Sequence, residues 1–253
     1  MEDARHIPTF FLLGDSTLAA FPPGDEARRF GYGTKLGDCF GNGIQVLDLA
    51  IPGRSSKSFR TEEAYARFLR EAKPGDFVLV AFGHNDEKPD PLRHTDPSLP
   101  VSEPGSFAGS LLEGYLLPAR ERGVFPLLAT PIVRRSPQGV YAGERVHVTE
   151  GTPEFPGGDY PACIRRLAQA TRTPLLDMTA LTLSLYLRLG PERAGSLHAV
   201  IPGDPPKIDD SHLNETGAAV LAHLFAAALR RSGVGPAEHL KARLPVPAGF
   251  GGE

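Results

Sequence analysis

The stretch Phe10-Phe11-Leu12-Leu13-Gly14-Asp15-Ser16-Thr17, FFLLGDST, decides the fold. Four large apolar residues in succession leave no polar face, as expected of a strand covered by other layers on both sides. Gly14 ends the run, and an acid and a hydroxyl follow at once. A buried strand that stops this abruptly presents its next residues at the edge of a sheet, where a serine meets solvent.

Working outward, short apolar runs bounded by Gly, Pro or Asp alternate with longer segments whose apolar residues recur at helical spacing. Strands are expected over 9–14, 44–50, 76–83, 124–131 and 174–178, and helices over 55–72, 106–123, 159–172, 178–190 and 214–233. That alternation is the rhythm of βαβ units and predicts an α/β fold with a parallel sheet. The last helix carries an Ala- and Leu-rich stripe and closes with Arg230, Arg231 and Gly233, the residue types of a helix C-terminus. With no internal repeat and no linker, the 253 residues are read as one domain, its core at about 9–233. The Pro- and Gly-rich tail, 234–253, is expected to fray apart from one short helix around AEHLKARL. The two long loops, 87–105 and 134–158, are expected to be functional or mobile.

The bulk properties exclude some partners. A net charge of -3, with no run of Lys or Arg longer than two residues, is not the footprint of a nucleic-acid-binding protein. The acidic N-terminal start and its short apolar run suit neither a signal-peptide core nor a membrane span, so a cytoplasmic location without a membrane partner is expected. Cys39 and Cys163 lack CxxC spacing and are expected as two reduced, buried thiols.

In an open parallel sheet, ligands bind beyond the carboxyl ends of the strands. Those ends carry Gly14-Asp15-Ser16, Pro52-Gly53-Arg54-Ser55-Ser56, Gly83-His84-Asn85-Asp86 and Pro131-Ile132-Val133-Arg134-Arg135, and KIDDSHLNETG precedes the last helix. Ser16 at a strand-to-helix turn is either a nucleophile or the cap of the following helix. Asp209 stands three residues before His212, a spacing that lets a carboxylate orient one ring nitrogen while the other faces a nucleophile. Asp210 competes for that role; Asp209 is preferred because the extra residue lets a loop fold back to the imidazole. The Asn85 amide and the Gly53 N–H are neutral donors of the kind that stabilise an oxyanion. Asn85 could equally hold its own loop together, and a loop glycine is often only a turn.

Four blocks in this order, GDST at 14–17, the glycine of GRSSKSF at Gly53, GHND at 83–86 and DDSH at 209–212, resemble the SGNH (GDSL-type) hydrolase superfamily. Within it, GDST, PGRSSKSF, GHND and TPIVRR are similar to the rhamnogalacturonan acetylesterase branch, over about residues 9 to 230. The resemblance implies a flavodoxin-like three-layer α/β/α fold with a five-stranded parallel sheet and no cofactor or metal. It implies Ser16 as nucleophile, His212 as general base and then acid, and Asp209 as orienting carboxylate. It further implies an oxyanion hole of Ser16 N–H, Gly53 N–H and the Asn85 amide, and ping-pong hydrolysis of an acetyl ester. Asp15 is read as structural. The expected partner is a small-molecule or oligosaccharide ester; the sequence leaves the oligomeric state open.

Arg54, Arg134 and Arg135 follow strands on the same edge, and guanidinium forks suit the carboxylate of a uronic acid, which makes a pectin-derived oligosaccharide a sensible substrate. Alternatively they pair with nearby acids such as Asp86 and Glu87. His84 is a candidate substrate contact if its imidazole is exposed. The competing readings are an acetylxylan esterase, a broad short-chain esterase or thioesterase on the same fold, a metal-dependent phosphoesterase, and a non-catalytic carbohydrate-binding protein.

Overall fold

The computed structural model describes residues 6–139, 149–247 and 249–250. β1 (Thr9–Gly14) pairs in parallel with β2 (Gln45–Asp48) on one side and β3 (Phe77–Ala81) on the other, and β4 (Phe125–Ala129) and β5 (Leu175–Leu176) continue the sheet beyond β3. The order is therefore β2-β1-β3-β4-β5.

The unbroken apolar run in β1 has the predicted cause. Phe10 and Leu12 point into a layer formed by α1 (Gly33–Leu36), α6 (Met178–Gly195) and α7 (Glu215–Ser232). Phe11 and Leu13 point into the opposite layer, with α2 (Glu63–Glu71), α3 (Phe107–Leu111), α4 (Leu117–Glu121) and α5 (Tyr160–Thr171). Each face buries alternate residues, giving the three-layer α/β/α sandwich. Cys39 belongs to the first layer and Cys163 to the second, so the sheet separates the two reduced thiols.

From β1 the chain first moves outward to β2, then returns to β3 on the other flank. Crossovers leaving in opposite directions open a crevice at the carboxyl ends of β1 and β3. Ser16 follows the first of these strands and Asn85 the second.

Several elements differ from expectation. Ser16 does not start a helix: residues 15–19 form a turn, and α1 begins only at Gly33. The segment 55–72 divides into a 3₁₀ turn, Ser58–Thr61, and α2. The segment 106–123 carries a π-turn, Leu112–Leu116, between α3 and α4. The helix expected at 178–190 runs on to Gly195 across a kink at Gly190 (φ 74°), because the residue before Pro191 avoids the helical region. DDSH lies not on a loop but in β7 (Lys207–Leu213), the second strand of an antiparallel hairpin with β6 (His198–Ile201).

The described part of the tail, 234–247, is docked rather than frayed. Gly235–His239 forms a 3₁₀ turn, Leu240 bridges to Phe40, Lys241 N–H donates to Cys39 C=O (3.0 Å), and Leu244 packs on the core. Loop 87–105 is pinned at Thr95, whose N–H reaches Asp86 C=O (3.1 Å), and at Asp96, whose N–H reaches Gly105 C=O (2.8 Å). Of loop 134–158, residues 140–148 lie outside the described residues. No helix among the described residues is long and apolar enough to cross a membrane.

Candidate active site

The turn after β1 is built around Asp15. Its carbonyl accepts from Leu18 N–H (3.1 Å) and Ala19 N–H (3.0 Å), and its Oδ1 from Thr17 N–H (2.9 Å) and Thr17 Oγ1 (2.8 Å). Burial pushes the Asp15 carboxyl up, against those two Thr17 bonds. Gly31 closes on the same turn: a Cβ there would lie 2.1 Å from the Leu18 carbonyl carbon, so only glycine fits. Ser16 is thus held between fixed neighbours.

Facing it is the β6–β7 hairpin. The register passes from His198↔Leu213 to Val200↔Ile208, so Asp209, Asp210, Ser211 and His212 stand opposite the single residue Ala199. A bulge of this kind re-aims side chains that a regular strand would send to alternate faces. Asp209 closes it, accepting from Ser211 N–H (2.8 Å) and His212 N–H (3.0 Å) at Oδ1. Its Oδ2 accepts from His212 Nδ1 (2.8 Å). A carboxylate only accepts, so the ring proton sits on Nδ1, and the Nε2 lone pair faces Ser16 Oγ at 3.1 Å. Burial raises the Asp209 carboxyl, but the bonds from the His212 ring and the two N–H groups outweigh it and hold the group well below the usual carboxylate range. Asp210 turns away to Arg135 (2.8 Å) and receives Arg135 N–H on its carbonyl (2.8 Å). Of the two acids, Asp209 is the one bonded to the imidazole.

The loop after β2 is tied to the end of β1, Ile51 N–H donating to Gly14 C=O (3.1 Å). Pro52 and Gly53 occupy the centre of a turn closed by Arg54 N–H to Ile51 C=O (3.4 Å), with Gly53 at φ 78°. That backbone conformation, and not lack of space, requires the glycine. Asn85 Nδ2 donates one hydrogen to Arg54 C=O (3.2 Å), which fixes the amide's orientation and leaves its second hydrogen available. Asn85 therefore braces the Gly53 loop rather than its own. Among the described residues, neither Ser16 N–H nor Gly53 N–H has a protein acceptor.

Asp86, next to Asn85, is fully buried and ties the loop after β2 to the long loop after β3. Its carboxyl accepts from Ser56 N–H (3.1 Å), Ser56 Oγ (2.5 Å) and Thr95 Oγ1 (2.8 Å), and burial raises it to about 7 despite these bonds. Asp48, at the end of β2, is also pushed by burial to about 7; its Oδ1 accepts from Ala50 N–H (3.0 Å) and its Oδ2 has no partner. For a carboxyl raised in the native state, the unfolded chain releases the proton near pH 4 while the native chain keeps it. The stability it contributes is complete below that pH and is lost as pH rises through about 7. Asp48→Asn therefore raises Tm at pH 8 by several degrees, about 1–3 kcal/mol, and changes it little at pH 4. Thermal melts of both proteins across that range check this; parallel curves would mean that Asp48 ionises without penalty.

The remaining expectations fare differently. His84 is buried, and its Nε2 donates to Ile132 C=O (2.8 Å); it is not the exposed imidazole that a substrate contact needs. Arg54 pairs with Glu62, Arg134 with Glu87 and Ser211, and Arg135 with Asp210. The acid-pairing alternative holds for all three, with Glu87 but not Asp86 among the partners. Phe21 carried no signal in the sequence, yet its ring stands edge-on to His212 at 5.6 Å between centroids. Among the described residues, no group of three or more His, Cys, Asp or Glu side chains is placed to hold a metal ion.

No protein-family model matches the sequence. The rhamnogalacturonan acetylesterase RhgT of Bacillus subtilis is 32% identical over 239 residues, covering 92% of this chain and 94% of the relative. A rhamnogalacturonan acetylesterase of Emericella nidulans is 25% identical, covering 89% of this chain and 86% of the relative. Among solved structures, the protein YxiM of Bacillus subtilis superposes with a TM-score of 0.69 at 26% identity, over 90% of this chain and 58% of that one.

Proposed function

Because the chain belongs to the SGNH hydrolases, in their rhamnogalacturonan acetylesterase-like branch, we propose that it is a serine esterase that removes acetyl groups from carbohydrate esters, pectin-derived rhamnogalacturonan oligosaccharides first among them. The observation that carries the reading is the continuous line from Asp209 Oδ2 through His212 Nδ1 and Nε2 to Ser16 Oγ.

In this reading Ser16 Oγ attacks the acetyl carbonyl carbon while His212 Nε2 takes its proton. Negative charge collects on the carbonyl oxygen and is met by the Ser16 and Gly53 N–H groups and the second amide hydrogen of Asn85. His212 then returns the proton to the sugar oxygen as the ester bond breaks, leaving acetyl-Ser16. Water enters, gives its proton to His212 and attacks the acyl carbon; the proton passes back to Ser16 as acetate departs. Asp209 stays ionised throughout and stabilises the imidazolium. Asp15 takes no part beyond shaping the turn.

Acetate release from acetylated rhamnogalacturonan oligosaccharides, acetylated xylo-oligosaccharides and a neutral aryl acetate tests this, each with and without chelator. The pectic ester is expected to be cleaved fastest, with chelator having no effect. Faster release from the xylan fragment would move the enzyme to the acetylxylan class, and no release from any of the three would overturn the esterase reading.

A further inference from the structure

A cavity of about 380 Å³ is bounded by Phe21, whose ring stands edge-on to His212, and by Arg28, Arg29, Phe30, Thr34 and Lys35. That is room for a sugar unit beside the reacting one. Its wall is held firmly. The Arg29 guanidinium lies over the Phe21 ring (4.7 Å) and forks onto Asp25, with Nη2 to Oδ1 at 2.5 Å and Nε to the same oxygen at 3.1 Å. Phe30 N–H donates to Leu213 C=O (2.9 Å), which ties the cavity to the residue after His212.

The charges around it are not equivalent. Arg29 is consumed by Asp25, and Lys35 is paired with the exposed Glu215 (2.6 Å). Arg28 is exposed and makes no ion pair among the described residues, sensing Glu215 only at longer range. Its backbone sits at φ 49°, in the left-handed region. Arg54, Arg134 and Arg135 have acidic partners, so of these four arginines it is Arg28 that has no ion pair among the described residues.

We propose that this cavity is a substrate subsite for a carboxylate-bearing sugar, a uronic-acid residue whose carboxylate pairs with the Arg28 guanidinium beside the reacting ester. The subsite rests on the esterase reading for its role, although its ligand chemistry does not. A planar fork matches a carboxylate in two parallel hydrogen bonds, and a neutral hexose offers nothing equivalent.

The test follows aryl acetate hydrolysis by wild type, Arg28→Asn and Arg28→Lys at constant ionic strength, with galacturonate, galactose or acetate added as inhibitor. Asparagine is chosen because it tolerates the left-handed backbone. Galacturonate is expected to inhibit wild type competitively and galactose far less. The galacturonate inhibition constant is expected to rise about tenfold or more in Arg28→Asn, with part of the loss recovered in Arg28→Lys. Equal inhibition by galactose, or an unchanged constant in Arg28→Asn, would overturn the proposal. So would acetate as potent as galacturonate, because the anion would then be held at the acyl site. Calorimetric titration of galacturonate into wild type and Arg28→Asn needs no turnover. Failure of every ester to react would count against the esterase reading, while the titration would still decide the subsite.

Discussion

Ser16→Ala and His212→Ala each lower kcat/KM for acetyl ester hydrolysis by about 10³–10⁶-fold, and the double variant is no worse than either alone. The non-additivity is the more telling half. A nucleophile and its base act as one unit, so once either is gone the other has nothing left to contribute. The local structure supplies no substitute: Thr17 Oγ1, the nearest hydroxyl in sequence, is buried and committed to Asp15, and Ser211 Oγ receives Arg134. Neither substitution should unfold the chain: Ser16→Ala removes one end of a single 3.1 Å hydrogen bond, and His212→Ala removes that bond and the 2.8 Å bond to Asp209 Oδ2, while the Asp15 turn and the Asp209-closed bulge keep their backbone bonds. Steady-state rates for the three variants, with melting temperatures as the folding control, check this. Retention of more than about a tenth of wild-type kcat/KM by either single variant would remove the assignment.

Asn85→Ala lowers kcat by about 10²–10³-fold with KM little changed. An oxyanion donor is strongest when charge has developed on the carbonyl oxygen, so its loss falls on the transition state and spares the ground state. Part of the loss has a second source in this chain. The amide also holds the Arg54 carbonyl, and with it the turn that presents Gly53 N–H. Removing one side chain therefore deletes one donor and loosens another. Asn85→Asp is the informative companion: it keeps the size of the side chain, supplies only acceptors, and should be at least as slow. An equal rise in KM for Asn85→Ala would make Asn85 a ground-state substrate binder.

Much of this architecture was legible because its causes are local. β1 reads as a doubly covered strand because each of its faces must meet a helix layer, and Phe10 and Leu12 are indeed separated by the sheet from Phe11 and Leu13. α7 ends where Arg230, Arg231 and Gly233 predict, with Gly233 at φ 63°. The order of the four motif blocks along the chain was enough to bring Ser16, Gly53, Asn85 and His212 to one end of the sheet. What misled was equally specific. Asp209–His212 looked like a loop because Asp-Asp-Ser-His has no strand pattern, and a bulge hides the alternation on which strand reading depends. The tail looked free because Pro and Gly dominate its composition, while Leu240 and Leu244 find the core only in three dimensions.

The layering, the parallel sheet and the segments that end at its functional edge can be read from residue order, since burial periodicity and turn chemistry act within a few residues of the chain. The tertiary structure alone decided the pairings: that His212 meets Asp209 while Asp210 goes to Arg135, and that His84 is spent on Ile132 C=O. It also decided that Arg54, Arg134 and Arg135 are paired with acids while Arg28 makes no ion pair among the described residues. Charge and hydrogen-bonding capacity are written in residue identity. Their satisfaction depends on distances of a few ångströms between segments tens of residues apart, and those distances exist only once the layers have packed.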